Sequence, residues 1–136
     1  MAIITTPRPP LNIFDRSRLD VDDTWQTILE APTYRIPENG PNPERDVEVV
    51  ALLTSLIVTN TDSETIQVSL RAEDSSGATW PIVTDLPVPV NDFALIELGK
   101  QNLPSDDQLQ ITVGTDQTAT AHLSYVLNQR EEFTVL

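Results

Sequence analysis

Cysteine is absent from this chain of 136 residues, and histidine and methionine occur once each. Without thiols there is no disulfide framework, no thiolate nucleophile, no iron–sulfur cluster and no cysteine zinc site. A single imidazole, His122, rules out a multi-histidine metal cage within one subunit. Positive charge is scarce too: 8 Lys+Arg stand against 21 Asp+Glu, a formal net charge of −13. Phosphate binding needs surplus Lys and Arg, so this balance argues against a nucleic-acid partner. It also disfavours an anionic membrane. No apolar run approaches the roughly 20 residues that cross a bilayer. The longest, 47–58, is interrupted by Glu48, Thr54 and Ser55. The opening MAIITTPRPP holds no apolar segment of signal-peptide length, and residue 2 is Ala, so a polypeptide made in the cytoplasm and not exported is expected.

What the chain does have is 11 prolines and a β-rich texture, with 39% hydrophobic residues, enough for a folded core rather than an acidic tail. The length suits one domain, which can bury about 70% of its unfolded surface. Residues 1–19 carry Pro7, Pro9, Pro10 and three arginines without periodicity, and read as an extended arm. The sandwich domain is expected over 20–136, with a proline-rich connection at 37–46. Within 20–36, Trp25, Ile28 and Leu29 have helical spacing, whereas Thr24–Glu30 also suits a strand; periodicity does not decide. Thr33–Ile36 is short enough to survive as an extended piece between prolines.

Beyond Val47, alternation takes over. Ile66, Val68, Leu70 and Ala72 face one way and Gln67, Ser69 and Arg71 the other. Gln108–Val113 and Ala119–Leu127 repeat the signal, with His122 on the outward face of its strand. Glu48–Asn60 is apolar on both faces, as in a strand that is covered twice or bends. Thr79–Val83 and Phe93–Leu98 complete the set, and Pro81, Pro87 and Pro89 confine Trp80–Val90 to an edge. Turn chemistry separates the strands, notably Glu73-Asp74-Ser75-Ser76-Gly77 and Val90-Asn91-Asp92. Short strands at this spacing define an all-β class, an antiparallel β-sandwich of jelly-roll or immunoglobulin-like type. The expected core comprises Trp25, Leu53, Ile57, Ile66, Val68, Leu70, Phe93, Leu95, Leu109, Ile111, Leu123 and Tyr125.

Chemistry-bearing motifs are few. There is no GxxxxGK[ST], GxGxxG or HExxH. His122 beside Thr120 and Ser124 reads as a solvated surface residue rather than a general base. Paired carboxylates are plentiful, but seven aromatics needed for packing leave little to line a glycosidase cleft. Asp20, Asp22 and Asp23 are the candidate Ca²⁺ ligands, although the segment lacks the turn Gly and distal Glu of an EF-hand, and Asp more often caps a turn. No cofactor and no enzymatic activity are expected. The arginines of the arm suggest docking on an acidic neighbour, and the C-terminus ends in an apolar cluster that needs cover. Arg8, Pro9, Pro10, Phe14, Arg16, Arg18 and Phe133 are therefore the candidate partner-binding residues.

Three stretches together carry a resemblance: 54–63 (TSLIVTNTDS), 85–92 (DLPVPVND) and 121–125 (AHLSY). With Trp25–Pro32 and the Pro32–Pro37 segment, they resemble small β-sandwich virion structural proteins of tailed bacteriophages, particularly cyanophage-like ones. The resemblance spans roughly residues 24–127 and departs from the pattern in the insertion 38–46. It implies a non-enzymatic virion component made in the host cytoplasm, of the head-decoration, neck or tail-accessory kind. Its partners would be capsid, neck or tail subunits and further copies of itself as a homo-oligomer. The rival class is a carbohydrate-binding or adhesin module, which exposed Trp25 or Trp80 would favour.

Overall fold

A computed structural model describes residues 3–5, 13–36, 45–47, 49–99 and 101–129. The strands in chain order are β1 (Ile3–Thr5), β2 (Ile13–Val21), β3 (Gln26–Glu30), β4 (Thr33–Ile36), β5 (Arg45–Val47) and β6 (Val49–Asn60). They continue with β7 (Ile66–Glu73), β8 (Thr79–Val88), β9 (Phe93–Glu97), β10 (Asn102–Leu103), β11 (Gln108–Val113) and β12 (Ala119–Gln129). No helix occurs among the described residues, so the ambiguous Thr24–Glu30 segment resolves as the strand β3.

Two antiparallel sheets pack face to face. One is ordered β10-β6-β12-β2 with β9 also on β6; the other is ordered β3-β11-β7-β8. A small third sheet joins β1, β4 and β5. The chain passes from one large sheet to the other after β2, β6, β8, β10 and β11, which is how an antiparallel sandwich buries the apolar face of each strand. The interior is filled by Leu53, Leu56 and Val58 of β6, Leu123 and Tyr125 of β12, Ile66, Val68 and Leu70 of β7, and Leu109 and Ile111 of β11. β8 is an edge strand, as its prolines require: Pro81 and Pro87 lie opposite Arg71 and Gln67.

Four of the expected core residues are exposed instead: Trp25, Ile57, Phe93 and Leu95. The cause in three cases is one bulge. Ser124 of β12 pairs with Ser55, but Tyr125 pairs with Leu53, so Thr54 is skipped. An extra residue in one strand reverses which face every later side chain takes. Val49, Ala51 and Leu53 point inward before the bulge, and Leu56 and Val58 after it, so Ile57 is turned out. β9 follows β6, with Ile96 opposite Leu56 and Leu95 opposite Ile57. The bulged backbone is satisfied from the side: Thr54 accepts from Leu98 N at 2.9 Å, and its Oγ1 donates to Ser124 O at 2.7 Å.

The boundary expected between arm and sandwich also moves. Residues 13–19 are not a separate arm but part of β2, paired with β12 from Ile13 opposite Leu127 to Val21 opposite Ala119. Ile3–Thr5 pairs in parallel with Thr33–Arg35 of β4. Arg8, Pro9, Pro10, Phe133 and most of the 37–46 connection lie outside the described residues.

Turns explain much of the acidity. Asn91, Asp106 and Asp116 in turns, and Asp85 where the β7–β8 register shifts within β8, all take positive φ, a conformation that Asn and Asp tolerate better than other side chains. In the β7–β8 turn, Asp74 Oδ1 accepts from Ser76 N, Ser76 Oγ and Ala78 N, and Gly77 takes φ of 89°. The Ser76 hydroxyl bond, with help from the backbone N–H groups, holds the Asp74 carboxyl below the usual carboxylate range.

Candidate functional site

The outer face of the five-stranded sheet gathers the residues of interest. Alternation along β2 places Phe14, Arg16, Arg18 and Asp20 on one exposed side. Strand register then extends them into rows across four strands. Arg18 lies opposite His122, His122 opposite Ile57, and Ile57 opposite Leu95. One step along, Arg16 lies opposite Ser124, Ser124 opposite Ser55, and Ser55 opposite Glu97. One step the other way, the row runs Asp20, Thr120, Thr59, Phe93.

On this face Phe93, Leu95 and Glu97 stand along the β9 edge, and Phe14, Arg16, Arg18 and Asp20 along the β2 edge. Phe93 is 60% and Leu95 54% exposed on β9, and Phe14 is 82% exposed on β2. Large apolar side chains this open to water mark a contact surface when they cluster. Arg18 makes an exposed 3.3 Å pair with Asp20, which contributes little to stability. Beside Phe14 and Arg16, a shallow cavity of about 350 Å³ reaches Thr54, Ser124 and Tyr125. Three of the seven candidate partner residues, Phe14, Arg16 and Arg18, thus share one face. Ile57, Phe93 and Leu95, expected in the core, belong with them. For Phe93 and Leu95 the signal is local: in Phe93–Leu98, alternation that buries Phe93 and Leu95 buries Glu97 as well.

The opposite face, on the other sheet, carries a groove of about 210 Å³ lined by Trp25, Arg71, Trp80, Thr79, Thr84 and neighbours. Both tryptophans are exposed. The Arg71 guanidinium stacks over the Trp25 ring at 4.1 Å and donates to Gln110 Oε1 at 2.7 Å, so cation–π attraction and a hydrogen bond fix it together. Gln110 passes the chain on to Glu73 and Gln108, whose Oε1 also accepts from Thr27.

The aspartates proposed for Ca²⁺ do not converge. Asp20 faces Arg18; Asp22 accepts from Thr24 N at 2.9 Å and Thr24 Oγ1 at 2.5 Å; Asp23 accepts from Asp116 N at 3.0 Å. The Thr24 hydroxyl, then its N–H, keep the Asp22 carboxyl below the ordinary range. Among the described residues, no three His, Asp or Glu side chains group to hold a metal ion. His122 is exposed on the outer face, as alternation places it.

Asp107 is the acid with an unusual setting. It is buried beside the β7–β8 turn, where desolvation, then the nearby Asp74 charge and to a lesser extent Asp106, push its carboxyl above the usual range against a bond from Ser75 N–H. A carboxyl whose pKa is raised by folding favours the native state below the unfolded pKa, and that contribution is lost as pH rises through the folded pKa. Asp107→Asn is therefore expected to melt above the parent at neutral pH. The two melting curves should converge in acid. Parallel thermal melts across that range check the sign.

No protein-family model, curated protein or solved structure matches the chain.

Proposed function

We propose that this chain is a non-enzymatic virion structural protein of a tailed bacteriophage, a head-decoration, neck or tail-accessory subunit. The observation that carries the reading is the outer face of the five-stranded sheet, where Phe14, Ile57, Phe93 and Leu95 are open to water beside Arg16 and Arg18 on an otherwise acidic protein. An apolar, cation-edged sheet face suits permanent packing against a protein lattice more than capture of a small molecule. The strand-and-turn resemblance supports the same class. Labelling purified virions from the source lysate with an antibody to this chain, with mass spectrometry of the same particles, tests it. Regular labelling at head, neck or tail is expected. Particles that lack the chain would overturn the reading.

The Trp25–Trp80 groove favours a second reading, a carbohydrate-binding or adhesin module, because exposed indoles offer stacking faces to sugar rings. Arg71 already occupies one face of Trp25, which leaves Trp80 as the freer platform. Titrating oligosaccharides while following tryptophan fluorescence decides it. A saturable change that Trp80→Ala abolishes supports the module, and a flat response across the panel removes it.

A further inference from the structure

We infer that the partner of this outer face is a second copy of the same chain, bound face to face about a two-fold axis that runs parallel to the strands between β6 and β12. The inference rests on the docking role given to that face and names its occupant. Charge distribution is the first argument. Among residues whose side chains are described, the exposed cations are Arg16 and Arg18, and both lie here. Asp22, Asp62, Asp74, Asp92 and Asp116 lie in turns outside these rows. Two copies of a protein with net charge −13 repel wherever acids meet acids. On this face two arginines offset Asp20 and Glu97, with Asp15 exposed at the β2 edge, so that repulsion is lowered.

The second argument is self-complementarity. The row Glu97–Ser55–Ser124–Arg16 has its anion on the β9 edge and its cation on the β2 edge. A two-fold axis along the strands lays each row over its own reverse, so Glu97 of one copy meets Arg16 of the other, twice per dimer. The next row brings Leu95 over the Arg18 stem, whose methylenes cover apolar surface, and the third sets Phe93 over Asp20, whose carboxylate is paired with Arg18 of its own copy. Stacked sheets stand about 10 Å apart, which side chains of this size fill. A different axis, across the strands through the Arg18 row, sets Arg16 over Asp20 but stacks Arg18 on Arg18 and loses the Glu97–Arg16 match.

Sedimentation equilibrium of the isolated protein, from micromolar to millimolar, tests this with charge reversal. The parent is expected to approach twice the mass of one chain, and a parent that stays monomeric overturns the inference. Leu95→Asp is expected to sediment as a monomer with unchanged far-UV dichroism; a dimer that survives it lies elsewhere and also overturns the inference. Arg16→Glu and Glu97→Arg should each be monomeric alone, because each sets like charges together. Mixed in equal amounts they should form a one-to-one heterodimer, since both contacts then pair opposite charges. Failure of the mixture to associate rejects the axis. Virion labelling is independent: a labelled particle with a monomeric protein overturns only the dimer, and a dimer absent from particles overturns only the virion role.

Discussion

Replacing Asn60 by alanine is expected to destabilise the protein by about 2–4 kcal/mol, a loss readable as a lower urea midpoint at unchanged slope. Asn60 ends β6 where the chain leaves for the other sheet, and its side chain is buried. Its Nδ2 donates to Glu64 O at 2.7 Å and to Val88 O at 3.0 Å, and its Oδ1 accepts from Asp62 N at 2.7 Å. The backbone N–H of the same residue donates to Asp92 O at 3.0 Å. One side chain therefore ties the β6–β7 crossing to the end of β8. Alanine leaves the buried Val88 carbonyl without its partner and removes the anchor for the part-buried Glu64 carbonyl and Asp62 amide. Asn60→Asp keeps the shape and the acceptor but turns a carboxylate toward two carbonyl oxygens. It should be the worse of the two at neutral pH and should recover part of the loss in acid, where the carboxyl becomes a donor.

Ile111→Ala and Ile57→Ala form the second expected contrast. Ile111 is fully buried between the sheets, and its truncation should cost about 2–5 kcal/mol through lost transfer energy and the cavity left behind. Ile57 is 39% exposed on the outer face, and the same change there should cost no more than about 1 kcal/mol. Equal losses would mean that β6 has the other phase and that Ile57 belongs to the core. Chemical denaturation of both variants under dilute, monomeric conditions measures the difference without interference from association.

Much of the fold was legible in residues read one strand at a time. Gln108–Val113 and Thr33–Ile36 coincide with β11 and β4, and Ala119–Leu127 falls within β12. Period-two alternation is a local property, and so is the turn chemistry of Asp74 and Gly77, so both survive without knowledge of the partner strands. The edge position of β8 follows from its prolines, which cannot donate to a neighbour. Asn60 is visible in the sequence as the end of the Glu48–Asn60 strand but not as a buried anchor, because its partners Glu64 and Val88 come from segments that only folding brings to it.

The candidate site shows the other limit. Alternation alone puts Phe14, Arg16 and Arg18 on one side of a strand, yet the proline-rich opening made that strand look like a free arm. Pairing with β12 is what seats it in the sheet. Ile57 needed more. In a strand that is apolar on both faces, either phase buries enough hydrophobic surface, so the local pattern is nearly indifferent between them. The choice is made by hydrogen bonds to β12, where skipping Thr54 lets Leu53 and Leu56 both enter the core, and by β9, where the chosen phase keeps Glu97 in water. The sequence by itself determined an acidic all-β chain and where most of its strands beyond Val47 run and turn. The tertiary structure decided which side of two of those strands meets solvent, because a bulge is a property of a strand pair and not of either strand alone.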